Sequence, residues 1–213
     1  MLPYICIERF GIRMHQMRDQ DSEIVMQGRN QPFVRQNHFF DETITPEQHR
    51  RWYEKVSLSH DYYLVVSRDG INVGLLYMKD INEQMRNGNI GLFFWDVKIL
   101  HTRVPLLAII TFLDFFLHSV GMQTIQARIR LDNKVMLHFV EFFELDLKRV
   151  ETENLLLATL PASTWIRNRT ALMKFAQRLS PKPESWLLKI EGEPSEHRWQ
   201  EVRKLIYSSK EAG

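Results

Sequence analysis

NIGLFFWDVKILHTRVPLLAIITFLDFFLHSVGMQTIQARIR, residues 89–130, is the stretch on which the fold turns. Asn89 to Ile99 is rich in aromatic and branched residues and predicts a strand. Val104 to Val120 is apolar nearly all round, which predicts a buried helix, and Gly121 is a natural stop. Gln123 to Arg130 alternates apolar and polar residues, the pattern of a second strand. Strand, buried helix and strand in that order form a β-α-β crossover, with parallel strands and a right-handed connection.

Working back towards the N-terminus, Arg86-Asn87-Gly88 supplies a turn, and Ile71 to Lys79 reads as a strand. Arg68-Asp69-Gly70 is a hairpin turn that joins it to a Tyr- and Val-rich strand, Tyr62 to Ser67. Thr45-Pro46-Glu47-Gln48 starts a helix that runs to about Leu58: Thr45 caps, Pro46 suits the first turn, and Gln48 completes a capping box. Asp19 to Asn30 predicts another helix, and Ile12 to Met14 a short first strand. Forward of the crossover come a helix (Asp132 to Phe143) and one or two strands (Leu147 to Leu160). Beyond Leu160-Pro161-Ala162-Ser163 follow a helix (Ser163 to Leu179), a strand (Trp186 to Ile190) and a helix (Pro194 to Ser208). The order specifies the α/β class: a mixed sheet with helices on both faces, formed by residues 1–160, and a C-terminal α-β-α extension, residues 161–213, packed on it.

The 213 residues carry 28 Lys and Arg against 26 Asp and Glu, a net charge of +2. That balance argues against phosphate-backbone binding, so no nucleic-acid partner is expected. The single cysteine, Cys6, excludes an internal disulfide and a cysteine-based metal cluster. No His, Glu and Cys spacing resembles a metal site. The longest apolar run, Val104 to Leu117, contains Asp114 and falls short of the roughly 20 residues a membrane span needs. With no signal peptide in view, the expected location is the cytoplasm.

Three segments carry a family resemblance. RNQPFVR (29–35) looks like an "RN-x-x-x-V-R" segment, ITPEQHRRWY (44–53) like an "IT-x-E-x-H-x-x-W" helix, and DGINVG (69–74) like an "x-G-x-x-I-G" hairpin. Their order and spacing resemble one branch of the GNAT (GCN5-related N-acetyltransferase) family. That branch holds the ribosomal-protein acetyltransferases and the acetyltransferases of nucleotide-linked amino sugars. The resemblance covers about residues 10 to 150 and implies acetyl-CoA as co-substrate. It also implies a splay between two central strands that admits the pantetheine arm, with Val97 and Ile99 offering backbone groups to that arm and the thioester near Trp95 and Asp96.

The family grips the coenzyme pyrophosphate with a turn of the form R/Q-x-x-G-x-G/A, whose free N–H groups open the long helix. The corresponding LHTRVP (100–105) puts Arg103 and Pro105 on the glycine positions, and proline has no N–H. The donors expected here are Val104, Leu106 and Leu107, helped by the charges of His101 and Arg103. Asn133 matches the family asparagine after the following strand. Seven residues on, where many members place a tyrosine acid, stands Val140, and the usual Gly-Phe helix end is Glu144-Leu145.

His38 is a candidate general base, because histidine titrates near neutrality. Asp96, beside three aromatics, is a second catalytic candidate whose carboxyl would be raised if desolvated. Arg29 and Asn30 suit a phosphate or sugar hydroxyl, and Asp41 and Glu42 a sugar amine. His49, beside Trp52, reads as structural. The first expectation is an acyl-CoA-dependent N-acetyltransferase acting on a small amine, a nucleotide-linked amino sugar for a surface glycan. The alternative is a degenerate binding or assembly protein of the same fold without acetyl transfer, whose extension could serve as a homodimer interface.

Overall fold

The computed structural model describes residues 4–153, 155–180 and 187–191. One sheet runs through the molecule in the order β7-β8-β6-β5-β4-β3-β2-β1-β9. Its strands are β1 (Tyr4–Arg9), β2 (Ile12–Gln16), β3 (Tyr62–Arg68), β4 (Ile71–Asn82), β5 (Asn87–Phe94), β6 (Thr124–Arg130), β7 (Asp146–Val150), β8 (Leu155–Pro161) and β9 (Leu187–Glu191). The helices are α1 (Ser22–Arg29), α2 (Pro32–Arg35), α3 (Pro46–Ser57), α4 (Val97–Leu100), α5 (Val104–Asp114), α6 (Lys134–Phe142) and α7 (Ala162–Leu179). The mixed α/β sheet expected from the sequence is present.

Turn chemistry sets the hairpins. Asp69 and Gly70 both have positive φ (50° and 81°), the geometry that matches the twist of the flanking strands. Phe10 and Gly11 make the same turn (55° and 76°) between β1 and β2. A bulky Phe is a poor signal for such a turn, and β1 is missing from the sequence reading for that reason.

Apolar side chains divide between two faces. Val25 of α1 and Val56 of α3 pack with Tyr63, Val65, Leu75 and Phe93. On the other face, α5 is buried at every residue except Leu106 and packs against Met14, Leu64, Leu76, Phe94 and Trp165. The helix predicted over 104–120 changes character at Phe115, where the backbone widens into a π-turn with Val120 N–H donating to the Phe115 carbonyl (2.8 Å). Two described elements of the extension join the main body. α7 packs on α5, and β9 pairs antiparallel with β1 as the sheet edge. The last predicted helix, 194–208, lies outside the described residues.

Asp114 fastens α7. It accepts from Arg9 (2.7 Å), from Trp165 Nε1 (3.1 Å) and from two nitrogens of Arg169 (2.6 and 3.1 Å). Burial by itself would raise its carboxyl. Hydrogen bonding and charge from Arg169, with Trp165 and Arg9, outweigh burial and leave it below the usual carboxylate range.

Two boundaries differ from the sequence reading in a way that matters for function. The central strand stops at Phe94, not Ile99, and Val97–Leu100 forms the short α4. Asp96 starts that helix by accepting from Lys98 N–H (2.9 Å), so its carboxylate serves as a helix cap and is only half-buried. Val97 and Ile99 therefore present helical backbone, not a strand edge, to any ligand.

Candidate active site

The sheet opens at its centre. β5 and β6 are parallel but pair over only three residues: Asn87 with Thr124, Gly88 with Ile125 and Asn89 with Gln126. From Ile90 to Phe94, β5 pairs with β4 alone; from Ala127 to Arg130, β6 pairs with β8 alone. The two strands diverge into a wedge with a free backbone edge on each side. Such an edge can pair an extended amide-containing chain.

A cleft of about 430 Å3 lies on the α1–α3 face beside this wedge. Arg29 closes α1, where Gly28 lets it pack tightly: a Cβ at Gly28 would come within 2.6 Å of the Trp95 ring. Trp95 is in turn held by its indole N–H, which donates to the Asn72 carbonyl (3.0 Å). His38 comes from the loop between α2 and α3. Its ring meets Phe93 edge-on (5.4 Å between centroids), and its carbonyl accepts from Arg130 of β6 (3.2 Å). Arg128 lies over the ring of Phe39 (5.6 Å). The loop thus reaches from β5 to β6 across the wedge. Asn30 clamps its far end, with its amide donating to and accepting from the Ile44 backbone (2.8 Å each).

Aromatic rings build the rest of the wall. Tyr63 and Tyr77 stack at 5.2 Å, and Trp52 meets Tyr63 edge-on at 5.4 Å. Tyr77 pairs across the strands with Gly91, and a Cβ at Gly91 would sit 2.0 Å from its Cζ and 2.1 Å from its hydroxyl oxygen. The phenol therefore lies over the strand that borders the wedge. Burial raises the Tyr77 phenol, opposed by the nearby Arg29 charge, and burial also pushes Tyr63 up, so both rings keep their protons at neutral pH.

Two cleft groups have buried nitrogens without a hydrogen-bond partner: Arg29 Nη1 and His49 Nε2. The other terminal nitrogen of Arg29, Nη2, donates to the Phe40 carbonyl. Burial pulls Arg29 below its ordinary value. The His49 ring bonds the Ser22 backbone, and burial, opposed by that bond, lowers its pKa and keeps it neutral.

Burial, and next the charge of Arg29, depress His38 from 6.5 to about 4. It is a neutral imidazole throughout the physiological range and a weaker base than expected. A histidine depressed by folding stabilises the native state fully above the unfolded value, near 6.5, and progressively less as pH falls towards 4. Stability is therefore expected to fall between pH 6.5 and 4, and His38→Gln to recover about 2 kcal/mol of that loss at pH 4 after allowance for solvent screening. Urea unfolding at both pH values checks this, and parallel curves for the two proteins would contradict it.

Of the residues expected from the sequence, the cleft brings Arg29 and His38 together. Asn30 serves the loop. Asp41 and Glu42 are exposed on that loop outside the cleft lining. Asn133 caps α6 by accepting from Met136 N–H (3.2 Å). Val140 is buried among Ala127, Ile129 and Ala158. Tyr63, Tyr77 and the place of His49 in the cleft lining escaped the sequence reading. Aromatics at alternate strand positions look like core, and only the paired glycine Gly91 hints at an overlying ring.

At the α5 N-terminus the donor count is low. Val104 N–H donates to Thr102 Oγ1 (3.2 Å), Pro105 has no N–H, and Leu107 N–H donates to the Arg103 carbonyl (3.0 Å). Of the three donors expected from the sequence, only Leu106 remains available. The wedge fits a pantetheine arm, whereas a diphosphate would meet few free backbone N–H groups and the exposed side chains of His101 and Arg103.

No protein-family model and no curated protein sequence matches the chain. Solved structures do. The spermidine N-acetyltransferase of Vibrio cholerae, in complex with CoA and spermine, superposes with a TM-score of 0.66 at 14% identity, over 73% of this chain and 98% of that one. RimJ of Mycobacterium smegmatis, in complex with CoA-disulfide, gives 0.61 at 14%, over 80% and 97%. FdhC, a nucleotide-linked sugar GNAT, gives 0.64 at 13%, over 81% and 97%. With the wedge, the crossover and these superpositions in agreement, the chain has the fold of the GNAT acetyltransferases.

Proposed function

We propose that the protein is an N-acyltransferase in which a pantetheine thioester lies in the β5–β6 wedge and a small amine occupies the neighbouring cleft. The observation that carries this reading is the junction at Gly91. There Tyr77, which lines the cleft, lies over the strand whose other edge is free, so thioester and amine can meet. A nucleotide-linked amino sugar for surface glycan synthesis is the acceptor we favour. Aromatic walls suit a sugar ring and Arg29 suits a phosphate oxygen.

The amine nitrogen attacks the thioester carbonyl carbon. A C–N bond forms, the C–S bond breaks, and its electron pair leaves with sulfur. His38, held neutral, lies on the cleft wall to receive the proton shed by nitrogen. Tyr77, held protonated, would supply one to the thiolate. A thiol with a pKa near 8.5 is a fair leaving group even without such help. Free backbone N–H groups of β5 would bond the carbonyl oxygen as charge develops on it.

The degenerate helix terminus makes a specific expectation. Acetyl-CoA and S-acetyl-pantetheine should bind within about tenfold of each other by calorimetry, since few donors reward the diphosphate. Arg103→Ala should weaken acetyl-CoA several-fold and leave S-acetyl-pantetheine unchanged. The committed N–H groups of α5 also favour the second reading, a binding or assembly protein without acyl transfer. Failure of both thioesters to bind at millimolar concentration would establish that reading and remove the first.

A further inference from the structure

Arg29 is 9% exposed, yet Nη1 has no partner and the side chain lines the cleft. Burying an unpaired guanidinium nitrogen is costly, so a site that keeps one is shaped for an oxygen acceptor. His49 carries a matching signal. It is 6% exposed with Nε2 unpartnered, and we assign its Ser22 bond to Nδ1–H. That leaves Nε2 of a neutral ring as an acceptor, facing a hydroxyl or N–H of the ligand.

Among the described residues, the cleft lining contains no aspartate or glutamate. Two carboxylates that act on Tyr63, Asp61 and Asp80, are engaged elsewhere. Asp80 pairs with Lys79 (3.4 Å) and accepts from Asn89 (3.1 Å), and Asp61 accepts from the Asp80 backbone (3.0 Å). Lys79 itself lines the cleft. A polycationic amine would meet a buried cation and no counter-charge.

We propose that the acceptor is an acidic amine: its skeleton bears an anionic oxygen, carboxylate or phosphate, that docks on Arg29 Nη1, and a hydroxyl that donates to His49 Nε2. This rests on the cleft being the acceptor site and narrows what it admits. Sugar rings supply the hydroxyl, and Trp52 and Tyr63 supply a flat face to lie on. Anion docking has a second effect. It neutralises the charge that helps depress His38, and so makes that imidazole a better proton acceptor when the cleft is filled.

The test uses the full chain and four amines: glucosamine, glucosamine 1-phosphate, 2-amino-2-deoxygluconate and spermidine. Binding is read from tryptophan fluorescence, to which Trp52 contributes, and from the melting temperature. Transfer is read as thiol released from acetyl-CoA or S-acetyl-pantetheine. The phosphate or the carboxylate amine should bind about 10- to 100-fold more tightly than glucosamine. Which of the two does so identifies the anion. Arg29→Met should abolish that gap, and Arg29→Lys should restore part of it. Melting temperatures of both variants within a few degrees of wild type show that the loop held at Phe40 survives; should Arg29→Met unfold, the lysine variant and the amine series on wild type carry the test.

Glucosamine or spermidine binding as tightly as the acidic amines would overturn the anion assignment. Thiol release with those two would then leave acyl transfer standing. Tight, Arg29-dependent binding of an acidic amine without thiol release would uphold the assignment and remove acyl transfer.

Discussion

Replacing Asp114 by alanine is expected to cost about 3–5 kcal/mol of unfolding free energy at pH 7, a large share of the ~5–15 kcal/mol that holds a domain of this kind. The reason is what remains behind. Asp114 is 1% exposed and Arg9 7%, so the variant buries the Arg9 charge without the carboxylate it meets at 2.7 Å. Trp165, 1% exposed, loses the acceptor for its indole N–H, and Arg169 loses both of its contacts. Asn at the same position keeps an oxygen for Trp165 and should cost less. The effect carries a pH signature. A carboxyl lowered by folding contributes stability above its unfolded value, near 3.8, and loses it as pH falls through the folded value. The gap between wild type and variant should hold from pH 7 down to about 4 and narrow only below that. Urea midpoints across this range decide the matter. A loss under about 1 kcal/mol would mean that α7 is held by apolar packing alone.

Gly91→Ala is expected to lower kcat/KM for acyl transfer by about 100-fold, with a stability loss of only ~1–3 kcal/mol. The added Cβ would occupy the place of the Tyr77 ring, 2.0 Å from Cζ. The ring cannot simply move aside, because it is half-buried and stacked on Tyr63. It must tilt into the cleft, displacing its hydroxyl from the strand that borders the wedge and narrowing the space for the amine. Tyr77→Phe separates the two consequences, since it removes the hydroxyl and leaves the ring. If the hydroxyl matters, Gly91→Ala and Tyr77→Phe should combine less than additively. Full activity in Gly91→Ala would show that Tyr77 has no part in the chemistry.

The architecture was legible because its signals are local. The Asp69-Gly70 turn, the Thr45–Gln48 capping box and the apolar α5 each state their structure within a few residues. β1 was not legible, since Phe10-Gly11 is an atypical hairpin pair. The residues at 95–100 misled for a related reason. Their apolar content continues that of β5, whereas the hydrogen bond from Lys98 N–H to the Asp96 side chain, which starts a helix there, is easily passed over.

The site was half legible. Arg29 and His38 stood out as chemistry-bearing residues near helix ends and loops. Their meeting depends on the sheet, which carries residues far apart in sequence to one face. Tyr77 and Tyr63 sit in alternating strands where a core role is the default reading, and only the cross-strand partner Gly91 distinguishes them. The Leu107 N–H, counted as available from the sequence, is taken by an ordinary helical bond to Arg103, which helix geometry alone should have foretold.

The pairing of β1 with β9 bears on how the chain is made. Ile5 lies opposite Ile190, so one flank of the first strand finds its neighbour only after a further 185 residues or so have been synthesised. At ~5–20 residues per second, that flank stays open for roughly ten to forty seconds on the ribosome. Its other flank closes early through the Phe10-Gly11 hairpin. During that interval Ile5, Cys6 and Ile7 present unpaired backbone with apolar side chains, the kind of edge that invites pairing with another nascent chain. The charged pair Glu8 and Arg9, which ends the same strand, is the local feature that makes such mispairing less favourable.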